Sequence, residues 1–290
     1  MSKRIRITPW LPVTVVVIGL CLTCFPSAGL RAQPNGNKVN GNGACITRNM
    51  AFTPGEELTY KVFYNWNFVW LSAGEVTFRV EDVNGEYHLS AHGSTYKSYD
   101  WFFKVRDKYD TWVDKRTLLP RLSIRDVAEG KYRLYDEVSF DRTAMKASSL
   151  RGKSKAVATV TAYDIQPCVH DILSVLYYAR NINYAGMQVG RDFPVSIFMD
   201  KEQWNLSVTY LGREAETEIR HLGRFRTAKF SPQVIEGYVF KKDSRLVVWT
   251  TDDDNRLPLM IESPISVGSV KVILHSYKGL RYPVSARVGD

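Results

Sequence analysis

Along most of the chain apolar and polar positions alternate with a period of two. From Leu58 to Trp66, the residues Leu58, Tyr60, Val62, Tyr64 and Trp66 share one face while Thr59, Lys61 and Asn65 share the other, the pattern of a half-buried strand. Val76, Phe78 and Val80 repeat it, Asn84-Gly85 supplies a hairpin turn, and Tyr87, Leu89 and Ala91 continue on the return. Further turns are expected at Asp114 to Thr117, Glu129-Gly130, Asp141 to Thr143, Leu211-Gly212, Asp243-Ser244 and Asp253 to Asn255. One segment departs from this rhythm. Between Pro167 and Asn181 the residues Val169, Ile172, Leu173, Leu176 and Ala179 recur at threes and fours, Pro167 suits a first helical turn, and Asp171 suits the positive end of the dipole. The spacing predicts a helix over about 167–181. The expected fold is mainly β, an antiparallel sheet curled into an unclosed β-barrel, with that amphipathic helix packed centrally on its concave face.

The amino terminus has a different character. Lys3, Arg4 and Arg6 precede an apolar run from Leu11 to Cys24, and small residues follow at Ser27, Ala28, Gly29 and Ala32. This is the layout of a secretory signal peptide, over residues 1–32 if the cut follows Ala32; a cut after Gly29 competes. The run is shorter than the ~20 residues of a membrane span, so an uncleaved anchor is the lesser alternative, as is lipidation at Cys21 or Cys24. Residues 33–44 read as a flexible leader and 45–290 as a single β-rich domain that admits two similar halves. The halves are suggested by Trp112 to Pro120 and Trp249 to Pro258, each a strand end, an acidic turn, an Arg and then Leu-Pro. Shared turn chemistry explains that echo equally well.

Export changes two counts. The chain of 290 residues carries a net charge of +9, which falls to about +5 without Lys3, Arg4, Arg6 and Arg31. The basic residues that remain are interleaved with acids, so no nucleic-acid stripe is expected. Four cysteines become Cys45 and Cys168. In an oxidising compartment one disulfide between them is the simplest arrangement, with two buried free thiols as the alternative.

Candidate chemistry is sparse. His88 and His92 share a strand face but lie ~13 Å apart on a regular strand, too far to hold one metal ion. Asp252, Asp253 and Asp254 lack the glycine and the bidentate glutamate of a calcium loop. His170 and Asp171 diverge by ~100° on a helix, so with Ser174 they cannot form a triad, although His170 and Ser174 could meet. No metal, cofactor or catalytic residue is therefore expected, and the protein is read as non-enzymatic. The densest apolar feature is an aromatic ladder of Tyr64, Trp66, Phe68 and Trp70 on one side of a strand, with Trp101 and Phe103 nearby in sequence. A packed core is the bland reading. The sharper one is a ligand-binding wall, facing Leu173 and Leu176 of the helix.

Phe52-Thr53-Pro54-Gly55-Glu56-Glu57-Leu58-Thr59-Tyr60, Ala73-Gly74-Glu75, Asp107-Lys108-Tyr109-Asp110, the helix from His170-Asp171 to Arg180, Asp252-Asp253, Arg256-Leu257-Pro258 and Val267-Gly268-Ser269 together resemble the exported bacterial domain-of-unknown-function family 3108, over nearly all of the mature chain. The family implies no activity. More distantly, the strand, acidic turn and Leu-Pro unit is similar to hairpins of periplasmic lipoprotein carriers, whose fold is an unclosed barrel around a helix. The expectation is an exported protein, periplasmic or in the outer envelope, that binds an apolar or lipid-like group. A structural or interaction protein with a packed core and an envelope-protein partner is the alternative, and a hydrolase assembled from distant residues the third. Peripheral membrane contact is compatible with either of the first two, and oligomeric state is left open.

Overall fold

A computed structural model describes residues 45–66, 69–101, 103–234, 245–264 and 269–289, and the side chains of Trp66 and Val69 are set aside with the rest. The expected signal peptide and leader, the turn at Asp243-Ser244, and Phe68 lie outside these residues. The chain first makes β1 (Glu57–Trp66), β2 (Val69–Val83), β3 (Glu86–Thr95), β4 (Val105–Val113), β5 (Pro120–Glu129), β6 (Tyr132–Asp141), β7 (Lys146–Gly152) and β8 (Thr159–Asp164). After β9 (Val169–His170) and α1 (Ile172–Ala179) come β10 (Asp192–Met199), β11 (Glu202–Ile219), β12 (Gly223–Pro232), β13 (Val247–Thr251), β14 (Pro258–Pro264), β15 (Ser269–Lys278) and β16 (Arg287–Val288). All join one sheet, ordered from β8 down to β1, then β15 down to β9, with β16 on β12. Two meanders thus meet where β1 pairs antiparallel with β15. The sheet is curled and not closed, mainly antiparallel, and carries one helix among the described residues, as the alternation implied. The short β9 is the exception and runs parallel to β10.

The register explains the elements. Asn84 (φ 52°) and Gly85 (φ 85°) form the two-residue hairpin turn between β2 and β3, the left-handed pair that matches strand twist. In the main core Leu58, Tyr60 and Val62 of β1 pack with Val76 and Val80 of β2, Leu89 of β3 and Leu274 of β15. The two echoing hairpins share more than composition. The register shifts at Trp112/Val113 in one and at Trp249/Thr250 in the other, and a residue of positive φ precedes the Leu-Pro or Leu-Leu-Pro in each, Leu118 at 56° and Arg256 at 47°. In each turn an aspartate carboxylate, Asp114 or Asp253, accepts backbone N–H groups from the residues that follow, the local bonding that makes aspartate a turn former.

Three expectations need correction. Leu211-Gly212 is no turn: β11 runs through it for 18 residues, and Gly212, at φ 101°, absorbs a bulge where the register shifts between Tyr210 and Gly212. The helix is shorter than 167–181, because Asp171 is its N-cap and Val169-His170 is spent on strand β9. The aromatic ladder is not one strand face either. Trp66 pairs with Val69, so the chain reverses between them, and Tyr64 lies opposite Leu71 while Asn65 lies opposite Trp70. Directly opposed residues share a face, which puts Tyr64 and Trp70 on opposite sides of the sheet.

Candidate functional site

The helix is held at both ends. At its start the Asp171 carboxylate accepts the N–H groups of Leu173 and Ser174 while the Asp171 N–H donates to Ser174 Oγ, a reciprocal capping box. Thr111 of β4 donates to the same carboxylate at 2.6 Å. His170 Nδ1 lies 3.2 Å from Ser174 Oγ, so the two do meet. Both are buried, and burial, with the Arg142 charge adding to it, drives the imidazole down to about 3. A neutral histidine beside a fully enclosed capping serine anchors the helix and offers no exposed nucleophile.

At its other end, Arg180 forms a two-pronged ion pair with Glu56, the two carboxylate oxygens meeting Nη1 and Nη2. The guanidinium also donates to the carbonyls of Ala51 and Asn255 and lies over the rings of Phe52 and Tyr177. Asn255 in turn bonds the backbone of Tyr282 in both directions. One buried cation therefore joins the amino-terminal segment, the helix end, the β13–β14 turn and the carboxy-terminal tail.

Between α1 and the second meander lies an apolar cavity of about 180 Å³. The helix contributes Ile172, Val175, Leu176 and Ala179, and the opposite wall is built from Phe193, Val195 and Ile197 of β10, Val208 of β11 and Phe230 of β12. Leu58 and Tyr60 of β1 close it toward the first meander, and Arg180 reaches its wall beside Tyr177. Tyr60 donates its hydroxyl to Pro258 O at 2.9 Å. The Tyr177 hydroxyl is buried and has no hydrogen-bond partner among the described residues, and burial pushes that phenol far above its ordinary value, so it keeps its proton. Arg256 also borders the cavity, with its guanidinium over the Tyr184 ring and one nitrogen donating to Arg180 O. The chamber thus has apolar walls, with Tyr177 and Arg180 at its border.

Of the residues expected to bind a ligand, Leu176 borders this cavity. Leu173 is fully buried in the main core. Tyr64 packs half-buried against the same core. Trp70 is exposed under the Lys271 ammonium at 5.1 Å, and Trp101 is 85% exposed. Phe103 is half-buried, and its ring crosses within 2.9 Å of where a side chain on Gly130 would begin. The side chain of Trp66 and the residue Phe68 lie outside the described set. The structure does not bring these aromatics together with the helix. The wall that faces it alternates in sequence as Phe193-Val195-Ile197 and Leu206-Val208, a signal legible but less conspicuous than four aromatics in seven residues.

The interior of the first meander is charged instead. Arg125 donates to Asp136 and to Asp200, Arg151 pairs with the same two carboxylates, and Ser149 donates to Asp136 at 2.7 Å. Burial opposes ionisation of Asp136, yet Arg125 and Arg151 hold it below its ordinary value. Nearby, Asp107 and Glu129 hydrogen-bond to each other, and burial first and their mutual repulsion second raise the affinity of the pair for a proton, Glu129 to about 9. A raised value means that the folded state binds the proton more tightly than the unfolded one. Its contribution is then fully present below about 4.5 and is lost as pH climbs toward about 9. Glu129→Gln keeps a donor toward Asp107 without the charge, and should flatten the fall of the urea midpoint over that range; parallel slopes in parent and variant would refute the shared proton.

The model of the family described as protein of unknown function (DUF3108) matches residues 59–275. No curated protein matches the chain. Among solved structures, the chain is similar to a beta-barrel-like protein of domain of unknown function DUF1849 from Brucella abortus, with a TM-score of 0.54 and 10% identity over 79% of this chain and 98% of that one. A putative exported protein with a YmcC-like fold from Bacteroides fragilis aligns at a TM-score of 0.32 and 10% identity, over 80% of this chain and 99% of that one.

Proposed function

The chain belongs to the DUF3108 family of proteins of unknown function, and from that premise we propose that it is an exported, non-enzymatic protein of the cell envelope that takes an apolar or lipid-like group into the cavity beneath α1. The observation that carries this reading is the cavity itself, an apolar chamber of about 180 Å³. An apolar void of ~150 Å³ stays dry and accepts a benzene-sized guest. The chamber therefore suits one ring or one short stretch of acyl chain, not a whole diacyl lipid. Export rests on the amino-terminal basic, apolar and small-residue sequence. The non-enzymatic reading is supported by the employment of His170 and Ser174 in the helix cap.

Titration with the neutral fluorophore N-phenyl-1-naphthylamine tests this. The parent protein should bind it with saturable enhancement. Val195→Phe and Val208→Phe, which fill the chamber, should weaken binding about tenfold or more while leaving a cooperative melt, since overpacking costs ~1–3 kcal/mol. A parent that binds no probe, and that gains stability from the filling substitutions, would favour the second reading. That reading is an envelope interaction protein with a packed core, and the cavity's modest size speaks for it, because ligand pockets usually span ~300–1,000 Å³.

A further inference from the structure

A second concavity, of about 550 Å³, lies on the inner face of β6, β7 and β8, and its chemistry is the reverse of the first. Its cations come from separate places in the chain: Lys131 from the β5–β6 turn, Arg133 from β6, Arg151 and Lys153 from the end of β7, and Lys201 from the β10–β11 turn. Among the described residues no carboxylate lines it. The buried pair Arg125 and Arg151 is balanced by Asp136 and Asp200, so the surplus charge is that of Lys131, Arg133, Lys153 and Lys201. The three lysines are exposed and form no ion pair among the described residues. Arg133 donates only to the backbone carbonyls of Gly130 and Tyr132. Thr159 and Thr161 add hydroxyl donors from β8.

Scattered lysines on a rim are ordinary, but one of these is held there against the preference of the backbone. Met199 pairs with Glu202, so Asp200-Lys201 is a two-residue hairpin turn, and both residues have positive φ, 51° and 73°. That turn favours Asn-Gly or Asp-Gly, and a non-glycine residue in this region carries strain. The strained pair divides its work. Asp200 reaches inward to Arg125 and Arg151, which fixes the turn against the floor of the cleft, and Lys201 stands on the cleft wall.

We propose that this cleft is a binding site for a phosphate-bearing anion. Four convergent cations would neutralise about two phosphate groups, each of roughly −1.5 to −2. Lysines act on such a group as mobile point charges, while Arg133 and the threonine hydroxyls supply directed donors. The site shares no residue with the apolar cavity and stands whether or not that cavity is filled.

Calorimetric titration of the purified chain with inorganic tripolyphosphate, at low and at physiological salt, tests the proposal, together with co-sedimentation on phosphatidylglycerol and phosphatidylcholine vesicles. The parent should bind tripolyphosphate, or the phosphatidylglycerol vesicles in preference to the neutral ones, more weakly as salt rises. The first outcome points to a soluble phosphate and the second to a lipid headgroup; both support the site. Lys201→Gly should weaken binding roughly threefold, and Lys131→Ala with Lys153→Ala together about tenfold. Lys201→Gly is the decisive variant, because glycine suits the turn and the melt should hold or rise. Lys97→Ala, exposed and not part of the cleft lining, should change nothing. A parent that binds neither probe, or a Lys97→Ala loss equal to that of Lys201→Gly, would overturn the proposal.

Discussion

Replacing Arg180 by methionine is expected to destabilise the protein by about 3–5 kcal/mol, the cost of stranding a buried charge. The guanidinium side chain is 4% exposed and the Glu56 carboxylate 0%. Once the cation is gone Glu56 has no competing partner, since both of its oxygens are engaged by Arg180. The carbonyls of Ala51 and Asn255 lose their donors in the same step. The methionine stem would still fill the space against Phe52 and Tyr177, so the loss reports the charge and not a cavity. Glu56→Leu together with Arg180→Met should therefore recover part of the stability, because removing both charges removes the desolvation penalty. Urea unfolding of the two variants beside the parent measures this. An Arg180→Met midpoint close to the parent's would mean that the hub holds nothing together. Arg180 also borders the apolar cavity, so the single variant should lose apolar-probe binding as well, and the double variant should regain some of it.

The alternation of apolar and polar positions carried the strand order of the first meander, because consecutive hairpins need only local turns such as Asn84-Gly85. The disulfide was legible because only two cysteines follow the apolar leader. What alternation could not show is the inside of that meander. Asp107, Arg125, Glu129 and Asp136 stand in the inward series of their strands, beside Val105, Val127 and Val138, although their charge by itself marks an outward face, and only cross-strand partners such as Arg125 with Asp136 make that tolerable. The aromatic run misled for a related reason. Tyr64 to Trp70 keeps its period through a chain reversal that carries no glycine or proline. The cavity wall drew one to three unremarkable residues from each of several strands, and they meet as one surface only once register is fixed. The cleft cations were likewise dispersed as a solvated face in sequence, and long-range curl brings Lys201 opposite Lys131 and Lys153.

Loss of the Cys45–Cys168 disulfide should lower stability by about 2–5 kcal/mol and loosen the sheet at one particular place. The bond spans 123 positions, with the two Cα atoms 5.4 Å apart, and chain-entropy reasoning gives ~4–5 kcal/mol for a loop of that size. The true figure should fall below this limit, because the tied segment has other anchors. Thr47 N–H donates to Arg116 O, Met50 N–H donates to the Asn181 side chain, and Ala51 and Phe52 are fully buried. Cys168, in contrast, immediately precedes β9, which ends the sheet on one side as β8 ends it on the other. Among the described residues no backbone ladder joins those two ends. Beyond the short chain link from β8 to β9, they are held by side chains, where Val138, Phe140, Ala147 and Ile165 meet Val169 and Phe198, and by Asp200 reaching Arg125 and Arg151. Cys45→Ser with Cys168→Ser should therefore speed amide exchange chiefly along Val169-His170 and its partners Ser196 and Ile197, with β1 to β4 still protected. A uniform rise in exchange would assign the bond a purely global role, and an unchanged urea midpoint would show that the seam closes without it.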